Sequence, residues 1–196
     1  MLFISIGEKC SIKYYIDKYT GKKKRLFFDF IETDMETIIH FLNCENIENI
    51  INIENIIYDK NNIPVKNNVK IYLKSLPKCV FTHYLHKNCN EVNLNNFIEK
   101  YKIKHKTFIE LIKSNTKIFF IRIGDINQNE KNMFIKTIYE INQNCNFHLI
   151  NISLNNDKEE IYQYKNYIKF KLKITNENLN KSFIDWESIF EYIMNA

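Results

Sequence analysis

The chain has 196 residues, 45% hydrophobic and 14% aromatic, which is enough to build one sizeable core and argues against disorder. Its formal charge of +5 rests almost wholly on lysine, Arg25 and Arg122 being its two arginines, so sequence-specific nucleic-acid recognition through guanidinium forks is disfavoured. Its five cysteines form no CxxC pair and have no regular spacing, which argues against a zinc ribbon, a thioredoxin-type site or a disulfide scaffold.

Leu2 to Ile6 is a short apolar run that reads as a buried strand. The first ten residues lack a basic n-region and a long apolar stretch, so no signal peptide is expected there. Gly7-Glu8-Lys9 reads as a tight connection. From Cys10 the spacing turns helical, with Ile12, Tyr15, Ile16 and Tyr19 on one face and Gly21 as a stop. Lys22 to Arg25 reads as a solvated basic loop.

Leu26 to Ile31 is an apolar segment interrupted by Asp29. Thr33 and Glu36 have the spacing of a capping box ahead of a helix with Met35, Ile38, Ile39 and Leu42. Residues 46–51 and 52–57 repeat one hexapeptide, NIENII, which is too few copies for a solenoid and is expected to be irregular or helical. Asn and Ile together make up about a third of the chain, a bias that an AT-rich genome would write.

Val69 to Leu73 and Lys78 to Leu85 read as strands, and Asn93 as the cap of a helix reaching Lys113. Lys117 to Ile123 is the clearest strand. A helix with Met133, Phe134, Ile138 and Ile141 follows, and then a strand from Phe147 to Ser153, a unit that implies parallel pairing. Tyr167 to Ile174 alternates apolar residues with Lys169, Lys171 and Lys173, the pattern of an exposed edge strand guarded by lysines. A helix over about Asp185 to Met194 closes the chain. The expectation is a single domain over residues 1–196. Its fold class is α/β: three layers, a mostly parallel sheet flanked by helices, and a lysine-rich edge strand.

Ligands of open α/β sheets bind beyond the carboxyl ends of the strands, which here carry Cys10, Arg122 to Asp125 and His83. A thiol in the first turn of a helix, beside Lys9, meets free N–H groups and a positive dipole end that favour the thiolate. Its alternative is a small residue packing a strand–helix corner. A cysteine nucleophile needs an imidazole in reach, and His83 lies at the end of a strand. His83 and His86 lack acidic or thiol partners at ligand spacing, so neither a metal nor a cofactor is expected. Asp29 stands in an aromatic run, where it either holds an imidazole or caps local amides. Arg122 either pairs with Asp29 or Asp125 or, with Lys9, binds an anionic group of the substrate.

Five segments occur together in order: Ile4-Ser5-Ile6-Gly7-Glu8-Lys9-Cys10, Phe28-Asp29-Phe30, Phe81-Thr82-His83, Phe119-Phe120-Ile121-Arg122 and Asp185-Trp186-Glu187-Ser188-Ile189-Phe190. This arrangement resembles a family of domains from bacteria and large DNA viruses labelled putative papain-like cysteine peptidase. The resemblance implies Cys10 as nucleophile, His83 as general base and Asp29 as orienting acid. The chain departs from the usual family pattern at Glu8-Lys9, in place of a Gly-Ser or Asn-type turn, and at Phe30, in place of tryptophan. The leading expectation is a cysteine-dependent hydrolase or acyl transferase acting on a protein or small-molecule substrate. It has Lys9, Arg122 and Asp125 at the substrate, and the cytoplasm, or host cytoplasm for a viral protein, as its setting. The alternatives are a non-catalytic interaction module on an α/β scaffold and an anion-binding transferase-like domain.

Overall fold

The computed structural model describes residues 1–7, 11–21, 25–59, 68–86, 91–155, 159–173 and 184–195. For residues 11, 58, 59, 68, 69, 83–86, 91, 92 and 155 the description is of backbone alone. The chain opens with β1 (Leu2–Ser5), α1 (Ser11–Thr20), β2 (Ile31–Glu32) and α2 (Met35–Leu42). A 3-10 turn at Ile47–Asn49 leads to β3 (Ile56–Asp59), β4 (Asn68–Leu73), β5 (Leu76–His86) and the long α3 (Glu91–Lys113). Then come β6 (Ile118–Ile123), α4 (Gln128–Ile141), β7 (Phe147–Asn155), β8 (Glu160–Tyr164), β9 (Tyr167–Lys173) and α5 (Trp186–Asn195).

These strands form two sheets. The larger has the order β1-β6-β7-β9-β8, with β1, β6, β7 and β9 parallel and β8 antiparallel to β9. The smaller is wholly antiparallel, in the order β2-β5-β4-β3. The mixed α/β content and the mostly parallel main sheet agree with the sequence, whereas the second sheet was not legible in it. Strands 69–73 and 78–85 are where periodicity puts them, but periodicity does not say which strands they pair with.

Alternation along each strand gives the larger sheet two apolar faces. Phe3, Phe119, Ile121 and Ile150 pack against Ile12 and Ile16 of α1 and Phe190 and Ile193 of α5. On the opposite face Ile4, Phe120 and Leu149 pack against Phe108 and Ile112 of α3 and Phe134 and Ile138 of α4. The same cluster continues into Ile56, Ile71 and Phe81, so the smaller sheet shares a core with the larger.

Three expectations are corrected. Strand β9 is not an edge: it pairs with β7 on one side and β8 on the other. Its lysines alternate because one face is half-exposed, and face exposure leaves a signature that says nothing about edges; β8, all but one of whose residues are exposed, takes the edge instead. Asp34, rather than Thr33, caps α2, accepting from the Thr37 N–H at 2.9 Å. Helix α3 starts at Glu91, two residues before Asn93.

Because an Asp at the N-cap satisfies an otherwise orphaned amide, Asp34→Ala should lower stability by about 1 kcal/mol. Thr33→Ala should have the smaller effect. Urea denaturation of the two variants checks the order; the reverse ranking would restore Thr33 as the cap.

Candidate active site

Strand β1 ends beside β6, Ser5 pairing with Ile121, so the carboxyl ends of these two strands form one rim. Gly7 leaves that rim with φ 72, in the left-handed region. A Cβ there would sit 2.6 Å from Thr33 Cγ2 and 3.1 Å from Arg122 Nη1, so only glycine fits. Cys10 and Lys9 lie outside the described residues, and α1 begins at Ser11.

The Leu26–Phe30 stretch folds into a turn. Asp29 Oδ2 accepts from the Leu26 N–H at 2.7 Å, while Phe27 and Phe28 enter the core. Phe30 has φ 65, an uncommon conformation for a bulky residue and a local strain of the kind held only by its surroundings. Its carbonyl accepts from both the Thr82 N–H at 3.1 Å and the Thr82 hydroxyl at 2.9 Å. The Arg25 guanidinium lies 4.7 Å over its ring.

Asp29 has no solvent exposure, and its second oxygen, Oδ1, has no hydrogen-bond partner among the described residues. Burial pushes its carboxyl up from 3.8 to about 6, against the pull of Lys13, the Leu26 amide and Lys104. Lys13 Nζ stands 3.7 Å from Asp29 and 2.6 Å from Asp17, with its side chain almost fully enclosed. Lys104, also buried, is pushed down to about 8 by desolvation, partly countered by Asp29. The site therefore contains two enclosed lysines that the sequence reading missed. Lys104 falls in the apolar stripe of α3, seven residues after Phe97 and four before Phe108, and that spacing was the available signal. Lys13 borders the α1 stripe and carried no such mark.

His83 lies on β5, where its backbone alone is described. Ile31 pairs with Phe81 and Thr82 donates to Phe30, and there the ladder gives way to the turn, in which the Ile31 N–H donates to the Phe28 carbonyl at 3.2 Å. On the other side of β5 the ladder slips. Val69 pairs with Leu85 and Ile71 with Phe81, so β5 carries two residues more than β4 over the step containing His83. Such bulges often re-aim side chains next to active sites.

Arg122 is buried, and its Nη1 donates to the carbonyls of Ile6 at 3.1 Å and Thr33 at 3.0 Å. The guanidinium thus faces the interior of the rim rather than solvent. Asp125 is exposed at the end of β6. The cation beside Asp29 is Lys13, where sequence had suggested Arg122.

The described cysteines are free and unactivated. Desolvation raises the Cys79 thiol well above its ordinary value and that of Cys145 to about 11, and Cys44 is raised as well. Among the histidines, His105 is held by the Phe41 carbonyl at 2.8 Å and His148 stacks on Phe119. Among the described residues no three His, Cys, Asp or Glu stand together as a metal site, and no helix is long and apolar enough to cross a membrane.

A mostly parallel α/β sheet carries a glycine turn after its first strand, and a buried acid lies beside the segment that bonds β5. The chain belongs to the family described as "Putative papain-like cysteine peptidase (DUF1796)", whose model matches residues 1–157, from β1 to just past β7. No curated protein and no solved structure matches it.

The raised carboxyl has a consequence for stability. Asp29 titrates at about 6 in the fold against an ordinary 3.8, so its contribution is fully present below about pH 4 and is lost as pH rises through 6. Above that, the ionised form opposes folding by about 3 kcal/mol relative to the neutral form. Asp29→Asn should therefore gain on the natural chain by about this amount between pH 4 and pH 7, in urea unfolding at both values. A stability difference independent of pH would contradict the assignment.

Proposed function

We propose that the chain is a cysteine-dependent hydrolase working by acyl transfer, with Cys10 as nucleophile, His83 as general base and Asp29 as the acid that orients His83. The observation that carries this reading is the Asp29 carboxylate. It is fully enclosed, its Oδ1 has no hydrogen-bond partner among the described residues, and it directly precedes Phe30, whose carbonyl bonds Thr82, the neighbour of His83 on β5. Burying a carboxylate is costly, and an imidazole donating to Oδ1 would supply the missing bond.

In this mechanism the thiolate of Cys10 attacks the substrate carbonyl carbon. The leaving group departs with a proton from the His83 imidazolium, giving a thioester. A water molecule then gives its proton to His83, attacks the thioester and frees Cys10. The N-terminus of α1, which begins at Ser11, favours the thiolate through its free amides and dipole. Lys9 adds a positive charge next in sequence, and with Asp125 it is the proposed contact for a peptide or small-molecule substrate at the rim. Reduced thiols suit a cytoplasmic setting. In the same proposal residues 1–196 form one domain, in which the larger sheet is the middle of three layers. The two apolar clusters on its faces, one continuing into the smaller sheet, support this.

Labelling with a thiol-directed alkylating probe, read residue by residue by mass spectrometry, tests the roles. Cys10 should react faster at neutral pH than Cys44, the half-buried thiol. Cys10→Ser should remove the fast label, and His83→Ala should slow it by about a hundred-fold or more. Equal labelling of Cys10 in the natural chain and in His83→Ala would leave a non-catalytic module as the better reading.

A further inference from the structure

We propose that Arg122 is a positioning residue: its guanidinium fixes the backbone from which the Cys10 turn departs, and so sets where the thiol stands. The inference rests on the reading of Cys10 as nucleophile. It assigns Arg122 a different task from the substrate contact that its place at a strand end suggests.

Three chain segments meet at Gly7. Strand β1 has just ended, β6 lies alongside it, and the Thr33 carbonyl arrives from the connection between β2 and α2. Arg122, on β6, donates from one nitrogen to Ile6 and Thr33 alike, at 3.1 and 3.0 Å. The fit is close, since a Cβ on Gly7 would collide with Thr33 Cγ2 at 2.6 Å and crowd Arg122 Nη1 at 3.1 Å. Gly7 also holds a left-handed φ of 72, which glycine alone adopts without strain. Cys10 is three residues on. A guanidinium that staples Ile6 to Thr33 therefore fixes the origin of the nucleophile's turn.

A planar, always-charged fork suits this task, whereas lysine offers the same charge from a single flexible point. Arg122→Lys separates the two contributions by keeping the charge and removing the fork. Misplacing a reacting group by about 1 Å costs on the order of a hundred-fold in rate. A purely structural arginine would affect stability and leave the chemistry of each folded molecule unchanged.

The test is the rate of alkylation of Cys10 by iodoacetamide across pH, in the full chain, resolved by mass spectrometry and normalised to the folded fraction from circular dichroism. Arg122→Lys should slow Cys10 by about ten- to a hundred-fold near neutral pH and move its midpoint toward the roughly 8.5 of a free thiol, with Cys44 unchanged. A wild-type profile in Arg122→Lys overturns the proposal and leaves the reading of Cys10 intact. A natural chain whose Cys10 already titrates like a free thiol overturns both. If Arg122→Lys does not fold, Gly7→Ala decides. It displaces the same departure point, so an unchanged thiol profile there means that the geometry is irrelevant to the thiol and the proposal falls.

Discussion

A carboxylate with no access to solvent closes the turn that joins the two sheets. Asp29 Oδ2 takes the Leu26 amide, and the turn so formed sends Phe27 and Phe28 inward. Phe28 meets Phe108 of α3 edge-on at 5.2 Å, and Phe27 meets Phe41 of α2 at 5.0 Å and Tyr101 of α3 at 5.7 Å. Tyr101 in turn meets Phe81 of β5 at 4.7 Å. Burying each of these rings is worth about 1.5–3 kcal/mol, with about 1 kcal/mol more for each well-placed aromatic pair. That gain outweighs the burden of the ionised acid, so the fold tolerates a group that would otherwise be expelled to the surface.

The same short segment then works in two directions. The Phe30 carbonyl ties it to Thr82 on β5, and the Thr33 carbonyl ties it through Arg122 to Ile6 at the end of β1. Five residues, 29–33, thus lie between the strand carrying His83 and the strand preceding Cys10. The positive φ of Phe30 belongs to this arrangement, since it turns the carbonyl toward Thr82 while Asp29 faces inward. Strain of this kind persists only where several contacts converge to hold it. Here the Thr82 bonds and the Arg25 guanidinium over the ring do so.

How much of this was legible depends on range. Local signals were: β1, α1 with its Gly21 stop, β6 and α4 lie where apolar period, caps and glycine put them. Pairing was not. The alternation of β9 was correctly a strand signal, yet its partner β8, EIYQY, alternates weakly and is mostly exposed, so nothing marked it. The repeated hexapeptide makes the point sharply. The first NIENII forms a 3-10 turn begun by Asn46, while the second ends in β3, where Ile56 and Ile57 pair with Leu73 and Tyr72. Identical residues take different forms because their neighbours in space differ. At the site, Asp29 stood out as a charge in an aromatic run and Lys104 was legible as a charge in the apolar stripe of α3, but Lys13, at the border of the α1 stripe, became visible only in the folded chain.

The acid also constrains the chemistry proposed for its neighbours. A carboxyl near 6 lies close to the ordinary imidazole range, so an imidazole bonded to Oδ1 and the carboxylate would titrate as a pair, each holding the other's charge. In the proposal, an imidazolium beside Asp29 would pull its carboxyl back down, and the ionised acid would hold the imidazolium until the leaving group takes its proton. Lys13 at 3.7 Å contributes in the same sense but is shared with Asp17 at 2.6 Å, which limits what it can do for Asp29. In the proposed mechanism the enclosed carboxylate would be matched to the imidazolium charge, which is lost when the leaving group departs and regained when water is deprotonated. That match to a changing charge is what distinguishes an orienting acid from a structural ion pair.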